Sequence, residues 1–165
     1  MINWKLDLRL IALIELFIAA LMGVPTIMAA VLGEHNALFG FGVTYPAVVL
    51  FSAAILIATA KPATKNFYAR DGFFVVTLTW IVATAFSALP LYMSKCLPDY
   101  SSAFFETMSG FTTTGATTLS EIESLPRSIL FWRSQTNWLG GMGIVVLFVA
   151  LLPALGVTGT MLVGA

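Results

Sequence analysis

The chain has 165 residues, of which 59% are hydrophobic and only 10% are charged, whereas roughly a quarter of the residues are charged in ordinary soluble domains. Its formal net charge is zero, so the sequence lacks the basic excess that marks a nucleic-acid-binding protein. Cys96 is the single cysteine, which excludes an intrachain disulfide. Long apolar runs are the dominant signal, and they predict an all-α integral membrane protein surrounded by the lipid bilayer.

Two apolar runs open the chain, at residues 10–32 and at about residues 37–60. Each is long enough for a membrane helix, which needs about 20 predominantly apolar residues. The first run contains Pro25 and also Glu15, whose carboxylate is expected to reach the nearby interface or to make a capping contact rather than to relay protons. This run could instead be a cleaved signal peptide. A retained anchor is favoured, because the run is long and three more hydrophobic segments follow.

A third apolar run covers residues 73–93 without any charge, and a fourth begins near residue 126 and continues to about residue 152. Basic residues cluster before the first run and between the second and the third: Lys5, Arg9, Lys61, Lys65 and Arg70. Because short cytoplasmic loops are enriched in lysine and arginine, the amino terminus and the loop after the second run are expected in the cytoplasm. The sequence thus predicts about four transmembrane helices.

A short helix is predicted between the third and fourth runs, in the segment "LPDYSSAFFETMSG". Ser101 or Ser102 is expected to cap its amino terminus, because a serine hydroxyl satisfies free backbone N–H groups. Gly110 is expected to end it. A helix of about two turns cannot cross a bilayer, which needs about 20 residues. Together with the polar run "GFTTTGATTL" that follows, it predicts one re-entrant pore helix and filter loop.

The polar run itself poses a physical problem, because unpaired backbone groups are costly in hydrocarbon. Such backbone is tolerated where it lines a water-filled cavity, and carbonyl oxygens there can replace the hydration shell of a potassium ion. Carbonyls that point the same way need backbone angles that favour glycine, and Gly115 is the expected position. The alternative is a solute carrier with discontinuous helices, in which "TTTGAT" binds an anion or an amino acid.

The string "SGFTTTGATTL", with "AFFE" before it and "SLPRSILFWRSQTNWLGGMGIVVLFVALLPALGV" after it, resembles the membrane subunits of Trk-type potassium uptake systems. These are the TrkH and TrkG type within the wider Trk/Ktr/HKT superfamily. Residues 70–92 also resemble the outer helix of the first pore repeat of that family. The resemblance implies a potassium translocator, not an enzyme, in which four repeats of outer helix, pore loop and inner helix surround one pore.

The resemblance also implies which residues form the site. Backbone carbonyls that bind potassium are assigned to Thr112, Thr113, Thr114, Gly115 and Ala116, with the ion itself at Thr113, Thr114 and Gly115. Supporting positions are Thr117, Glu106, Arg133, Gly140 and Gly141. Glu106 is expected to pair with Arg133 or Arg127, because charges inside a membrane need partners. Glycines of the fourth run, Gly140 and Gly141 among them, are expected to allow close helix packing rather than to act as a gating hinge.

One pore repeat is visible where the family has four. The expected layout is an amino-terminal helix pair in residues 1–69, the first pore repeat in residues 70–156, and the start of a connection to the missing repeats in residues 157–165. The chain is then a fragment of a longer transporter, or four copies assemble; a non-transporting assembly subunit or truncated product is the alternative. The resemblance further implies the bacterial inner membrane, a homodimer, a cytoplasmic nucleotide-binding partner of the TrkA type, and no cofactor besides the transported K⁺.

Overall fold

The computed structural model describes residues 4–60 and 69–151, and in these residues it contains six helices and no strand. The helices are α1 (Trp4–Val31), α2 (His35–Ala58), α3 (Ala69–Ser87), α4 (Leu89–Met93), α5 (Tyr100–Phe111) and α6 (Arg127–Leu151). Among these residues, three stretches are long and apolar enough to cross a membrane: Trp4–Val31, His35–Ala58 and Asp71–Met93. The all-α membrane fold class is confirmed. A fourth span in α6 and the re-entrant placement of α5 stay predictions, and the predicted connection at 157–165 lies outside the described residues.

Helix α1 packs against α2, α3 and α6, and it continues through Pro25. Proline has no backbone N–H, so the carbonyl of Leu21 one turn earlier loses its helical donor. The side-chain amide nitrogen of Gln135, on α6, donates a hydrogen bond to this carbonyl at 3.1 Å. A side chain of α6 therefore satisfies the backbone group that the proline leaves free, and it ties the first helix to the last.

The hydrogen bond from Gln135 to the Leu21 carbonyl can be tested with a pair of substitutions. Gln135→Leu should lower the free energy of unfolding by about 0.6 to 1.7 kcal/mol, the range for hydrogen bonds between membrane helices. In a Pro25→Ala background the same change should cost less, because the alanine N–H can bond the Leu21 carbonyl within α1. Unfolding in mixed detergent micelles measures both values. Equal costs in the two backgrounds would contradict the assigned role of Gln135.

The buried face of α1 carries an acidic residue. Ile11, Glu15, Ile18 and Met22 are all buried, and their spacing places them on one side of the helix. Glu15 is only 1% exposed, and its Oε1 atom accepts no hydrogen bond from the part of the chain that the structure describes. The expectation that this carboxylate reaches the interface is therefore wrong, because the helix turns it toward the packed interior.

The third apolar run is interrupted rather than continuous. α3 ends at Ser87 and α4 begins at Leu89, because Pro90 cannot donate a backbone hydrogen bond to the turn before it. The carbonyl of Ser87 accepts a hydrogen bond at 3.1 Å from the indole nitrogen of Trp132, a fully buried side chain of α6. The interruption separates α3 from α4, which precedes α5 in the chain, and the Trp132 hydrogen bond links α6 to the end of α3.

Candidate functional site

The amino terminus of α5 is capped by an aspartate. Asp99 has an extended backbone, and its carboxylate accepts hydrogen bonds from the backbone N–H of Ser102 at 2.8 Å and from its hydroxyl at 2.9 Å. The expectation that Ser101 or Ser102 is the cap is wrong: Ser102 is a donor to the cap, because it lies at the third helical position, where the N–H is unpaired. These hydrogen bonds hold the pKa of the Asp99 carboxyl below its usual value.

The carboxyl-terminal end of α5 lies directly against α6. α5 ends at Phe111, one residue beyond the predicted stop. A Cβ atom on Gly140 would lie 2.0 Å from the carbonyl oxygen of Phe111, and one on Gly110 would lie 2.8 Å from the hydroxyl of Thr136. A side chain at Gly140 would require the backbone at Phe111 to move, and one at Gly110 would require the Thr136 hydroxyl to shift. Gly110 is therefore a contact position rather than a helix stop, and Gly140 makes the close packing that the sequence predicts.

Residues 112–118 follow α5; they are all exposed and belong to no helix or β-strand, and we call this extended segment the filter strand. Its first N–H groups all bond back to the last turn of the helix. The N–H groups of Thr112, Thr113 and Thr114 donate to carbonyls in residues 108–110 at 2.8, 2.9 and 3.0 Å respectively. The donor side of this backbone is thus turned toward α5.

The acceptor side of the filter strand is left open. Thr112 has a φ of −83°, whereas Thr113 and Gly115 have positive φ values of 55° and 74°. Within residues 4–60 and 69–151, no hydrogen bond ends on the carbonyl oxygens of Thr113, Thr114 or Gly115. The positive φ expected at Gly115 is confirmed.

The positive φ at Thr113 was not expected from the sequence. A β-branched residue in this conformation is a genuine outlier, and the left-handed region costs roughly 1–2 kcal/mol for a residue with a side chain. Hydroxyl groups stabilise the turn: Thr113 Oγ1 donates to the Thr112 carbonyl at 2.7 Å, and the hydroxyls of Thr112 and Thr114 are 2.8 Å apart. The Thr112 carbonyl, at the amino-terminal end of the filter strand, therefore already accepts a hydrogen bond.

The carboxyl-terminal part of the filter strand, at residues 117 and 118, is held by a buried carboxylate on α5. Glu106 is 4% exposed, and it accepts hydrogen bonds from the hydroxyl of Thr117 at 2.9 Å and from the N–H of Thr118 at 3.0 Å. The guanidinium group of Arg133, on α6, completes its partners through an ion pair. Of the two predicted partners, Arg133 makes the contact, and Arg127 does not.

Two further contacts complete the support of the strand. The hydroxyl of Ser109 donates to the carbonyl of Ala116 at 2.6 Å, so this carbonyl, unlike the three before it, already has a partner on α5. On the other side, the nearest atom to a Cβ built on Gly141 is the methyl group of Thr113 at 3.8 Å, an ordinary contact distance. α6 thus passes directly beside Thr113, in the amino-terminal part of the filter strand.

Sequence reasoning missed the residue that holds the amino-terminal end of α6. Glu34, in the turn between α1 and α2, accepts hydrogen bonds from the backbone N–H groups of Arg127 at 2.7 Å and Ser128 at 3.1 Å. The hydroxyl of Ser128 also donates to it. The carboxylate therefore caps a helix that begins 93 residues later. The only signal in the sequence is the polar break "GEHN", which does not reveal this partner.

Comparison with known proteins identifies the family of this chain. The family model TrkH, described as "Cation transport protein", matches residues 43–164. The chain belongs to this family. The matched segment extends from α2 past the end of α6, and it contains both the filter strand and its supports, so the resemblance to Trk-type membrane subunits is confirmed.

Curated family members show the same relationship. TrkG of Escherichia coli K12 is 37% identical over 139 residues, which make up 84% of this chain and 28% of TrkG. TrkH of Halomonas elongata is 39% identical over 156 residues, or 94% of this chain and 32% of that protein. TrkH of E. coli K12 is 38% identical over 159 residues, with shares of 93% and 32%. All three are named Trk system potassium uptake proteins, and the chain spans about a third of their length.

Proposed function

We propose that this chain supplies one quarter of the selectivity filter of a potassium uptake system, with K⁺ bound by the backbone carbonyls of Thr113, Thr114 and Gly115. The observation that carries this proposal is the set of three consecutive carbonyls without a hydrogen-bond partner in the described part of the chain. The N–H groups of Thr113 and Thr114, by contrast, donate hydrogen bonds to carbonyls of α5. The names of the relatives, which are potassium uptake proteins, support the same ion.

The chemistry needs no titrating side chain. Carbonyl oxygens replace the hydration shell of the ion, and binding must be strong enough to admit it yet weak enough to release it. The carboxyl-terminal end of α5 adds a partial negative charge next to the strand, which favours a cation. The membrane potential supplies about 2.3 kcal/mol per elementary charge for each 100 mV, and it would drive uptake. Thr112 and Ala116 flank these three residues, and the carbonyl of each already accepts one hydrogen bond within the chain.

The supporting residues hold the filter strand in place. Glu106 and Arg133 fix its carboxyl-terminal part through Thr117 and Thr118. Gly140 lets α6 approach the end of α5. Gly141 lies beside Thr113, so the inner helix can reach the strand without a side chain in between. None of these groups needs to touch the ion.

The three carbonyls of this single filter strand also indicate that further filter strands are needed. One filter strand can contact an ion from one side only, so three more strands must complete the ring, either as further repeats of a longer chain or as copies of this one.

In this proposal residues 1–69 form the amino-terminal helix pair and residues 70–156 the first pore repeat. The amino terminus lies in the cytoplasm of a bacterium, and the assembly is a homodimer with a nucleotide-binding regulatory subunit of the TrkA type. The chain holds no cofactor and catalyses no reaction.

Rubidium uptake into cells that lack their own potassium uptake tests the proposal. Uptake by the chain alone would indicate that four copies assemble, and uptake only when the remaining repeats are supplied would indicate a split transporter. In the competent form Gly115→Asp should lower the uptake rate at least about tenfold, because φ is 74° and a side chain there costs roughly 1–2 kcal/mol before its charge is counted. The matched control is Gly42→Ala in α2, where a Cβ meets nothing within 4 Å. No uptake in either form would overturn the proposal and favour a non-transporting subunit.

A further inference from the structure

The amino-terminal end of α6 is held by a residue from outside the pore repeat. Glu34 accepts three hydrogen bonds there, two from backbone N–H groups and one from the hydroxyl of Ser128. The first four N–H groups of a helix have no partner within the helix, and a carboxylate is the preferred charge at this end. The turn between α1 and α2 therefore supplies the cap that α6 lacks in its own sequence.

The same helix carries the cation that supports the filter strand. Arg133 lies five residues after Ser128, about 7.5 Å further along the helix axis at a rise of about 1.5 Å per residue. Its guanidinium group pairs with Glu106, whose carboxylate holds the hydroxyl of Thr117 and the N–H of Thr118. The position of α6 along its axis therefore sets where this guanidinium group stands relative to the carboxyl-terminal part of the filter strand.

The remaining anchors of α6 lie on the carboxyl-terminal side of Arg133 or beside it. Gln135 is bonded to α1, the indole of Trp132 is bonded to the end of α3, and Gly140 is packed on Phe111. Among the described residues, Glu34 alone makes side-chain hydrogen bonds to the first turn of α6 from another element. It completes the set of contacts that fixes the helix on both sides of the arginine.

We infer that Glu34 is a positioning residue for ion selection: it acts through α6 and Arg133 on the filter strand, without touching the ion. This inference rests on the proposed function, because it assigns Glu34 to the same filter. It gives the amino-terminal helix pair a role inside the pore repeat, since the pair supplies both the cap of α6 and the carbonyl that Gln135 binds.

The first test measures discrimination between rubidium and sodium uptake in the form of the transporter that is competent. Glu34→Ala should reduce this ratio about tenfold, the lower end of the range for residues that orient the ligands of a metal ion from outside. Glu34→Gln keeps the side-chain length and one acceptor oxygen, so it should have a smaller effect of about threefold, taking one of two carboxylate oxygens as half of the free energy of a tenfold change. The matched control is Glu123→Gln, an exposed acid in the loop before α6, which should leave the ratio unchanged.

The second test does not depend on transport. Hydrogen exchange of the chain in lipid nanodiscs should show faster exchange of the Thr118 N–H in Glu34→Gln, by about threefold to tenfold, because local opening follows local stability. The Thr114 N–H, which bonds to Ser109 on α5, should keep its rate. Unchanged exchange at Thr118 in folded Glu34→Gln protein would overturn the inference. Faster exchange at both amides would indicate general destabilisation and would also overturn it. Altered exchange at Thr118 alone, with no uptake in any form, would uphold the mechanical link and reject the proposed function.

Discussion

Replacing Arg133 by methionine should lower the free energy of unfolding by about 3 kcal/mol, the lower end of the range for breaking a buried ion pair. The cost arises because the Glu106 carboxylate would lose its cationic partner while its side chain is only 1% exposed. The lower end applies because the Arg133 side chain keeps 23% of its exposure and so loses less hydration. Reversible unfolding in mixed micelles measures the change.

Arg127→Met is the matched control for this prediction. Arg127 is exposed at the start of the same helix, and its contact with Glu34 uses the backbone N–H, which methionine retains. The control should therefore change the free energy of unfolding by less than about 0.5 kcal/mol, as surface substitutions usually do. The double variant Glu106→Gln with Arg133→Met should recover most of the loss, because no charge then remains buried. Equal losses in the Arg127 and Arg133 variants would contradict the role of the ion pair.

Gly140→Ala should be the most damaging single-methyl change in the chain's inner helix. The added Cβ would lie 2.0 Å from the Phe111 carbonyl oxygen, which is backbone and cannot move aside as a flexible side chain would. Overpacking of this kind costs typically 1–3 kcal/mol and occasionally more, and the upper end applies here. α6 would have to shift away from α5, which carries the filter strand. Purified yield, the free energy of unfolding and rubidium uptake should all fall together.

Gly143→Ala tests whether the glycine at 140 is special. It lies one turn further along α6, and a Cβ there would be 3.7 Å from the indole ring of Trp80, an ordinary contact distance. Alanine is about 1 kcal/mol better than glycine in a helix interior, so this variant should be neutral or slightly stabilised. A Gly140→Ala protein as stable as Gly143→Ala would show that the two helices do not cross where the structure places them.

Much of the architecture could be predicted because membrane helices are recognised from local runs of apolar residues. Apolar runs of sufficient length located α1 and α2, and a conformational argument located the positive φ at Gly115. The chemistry of charge inside a membrane predicted a partner for Glu106 and reduced the choice to two arginines. Each of these inferences depends on residues that are close in sequence or on a single physical requirement.

The failures share a different cause: the deciding partner is distant in sequence. Glu34 caps α6 from 93 residues away, and no local pattern links the two. Glu15 is buried because of the face that α1 presents to its neighbours. Thr113 adopts a positive φ because the end of α5 and its hydroxyl contacts impose it, against its own preference. Tertiary contacts, rather than propensity, decide all three positions.

The central claim is that K⁺ is bound by backbone carbonyls of the filter strand, and anomalous diffraction from rubidium tests it most directly. Crystals of the uptake-competent assembly, grown with Rb⁺ in place of K⁺, should show anomalous density on the pore axis beside the carbonyl oxygens of Thr113, Thr114 and Gly115. The peaks should vanish in Gly115→Asp crystals while the helices stay in place. Rubidium density elsewhere in the pore, with none beside these three carbonyls, would contradict the account.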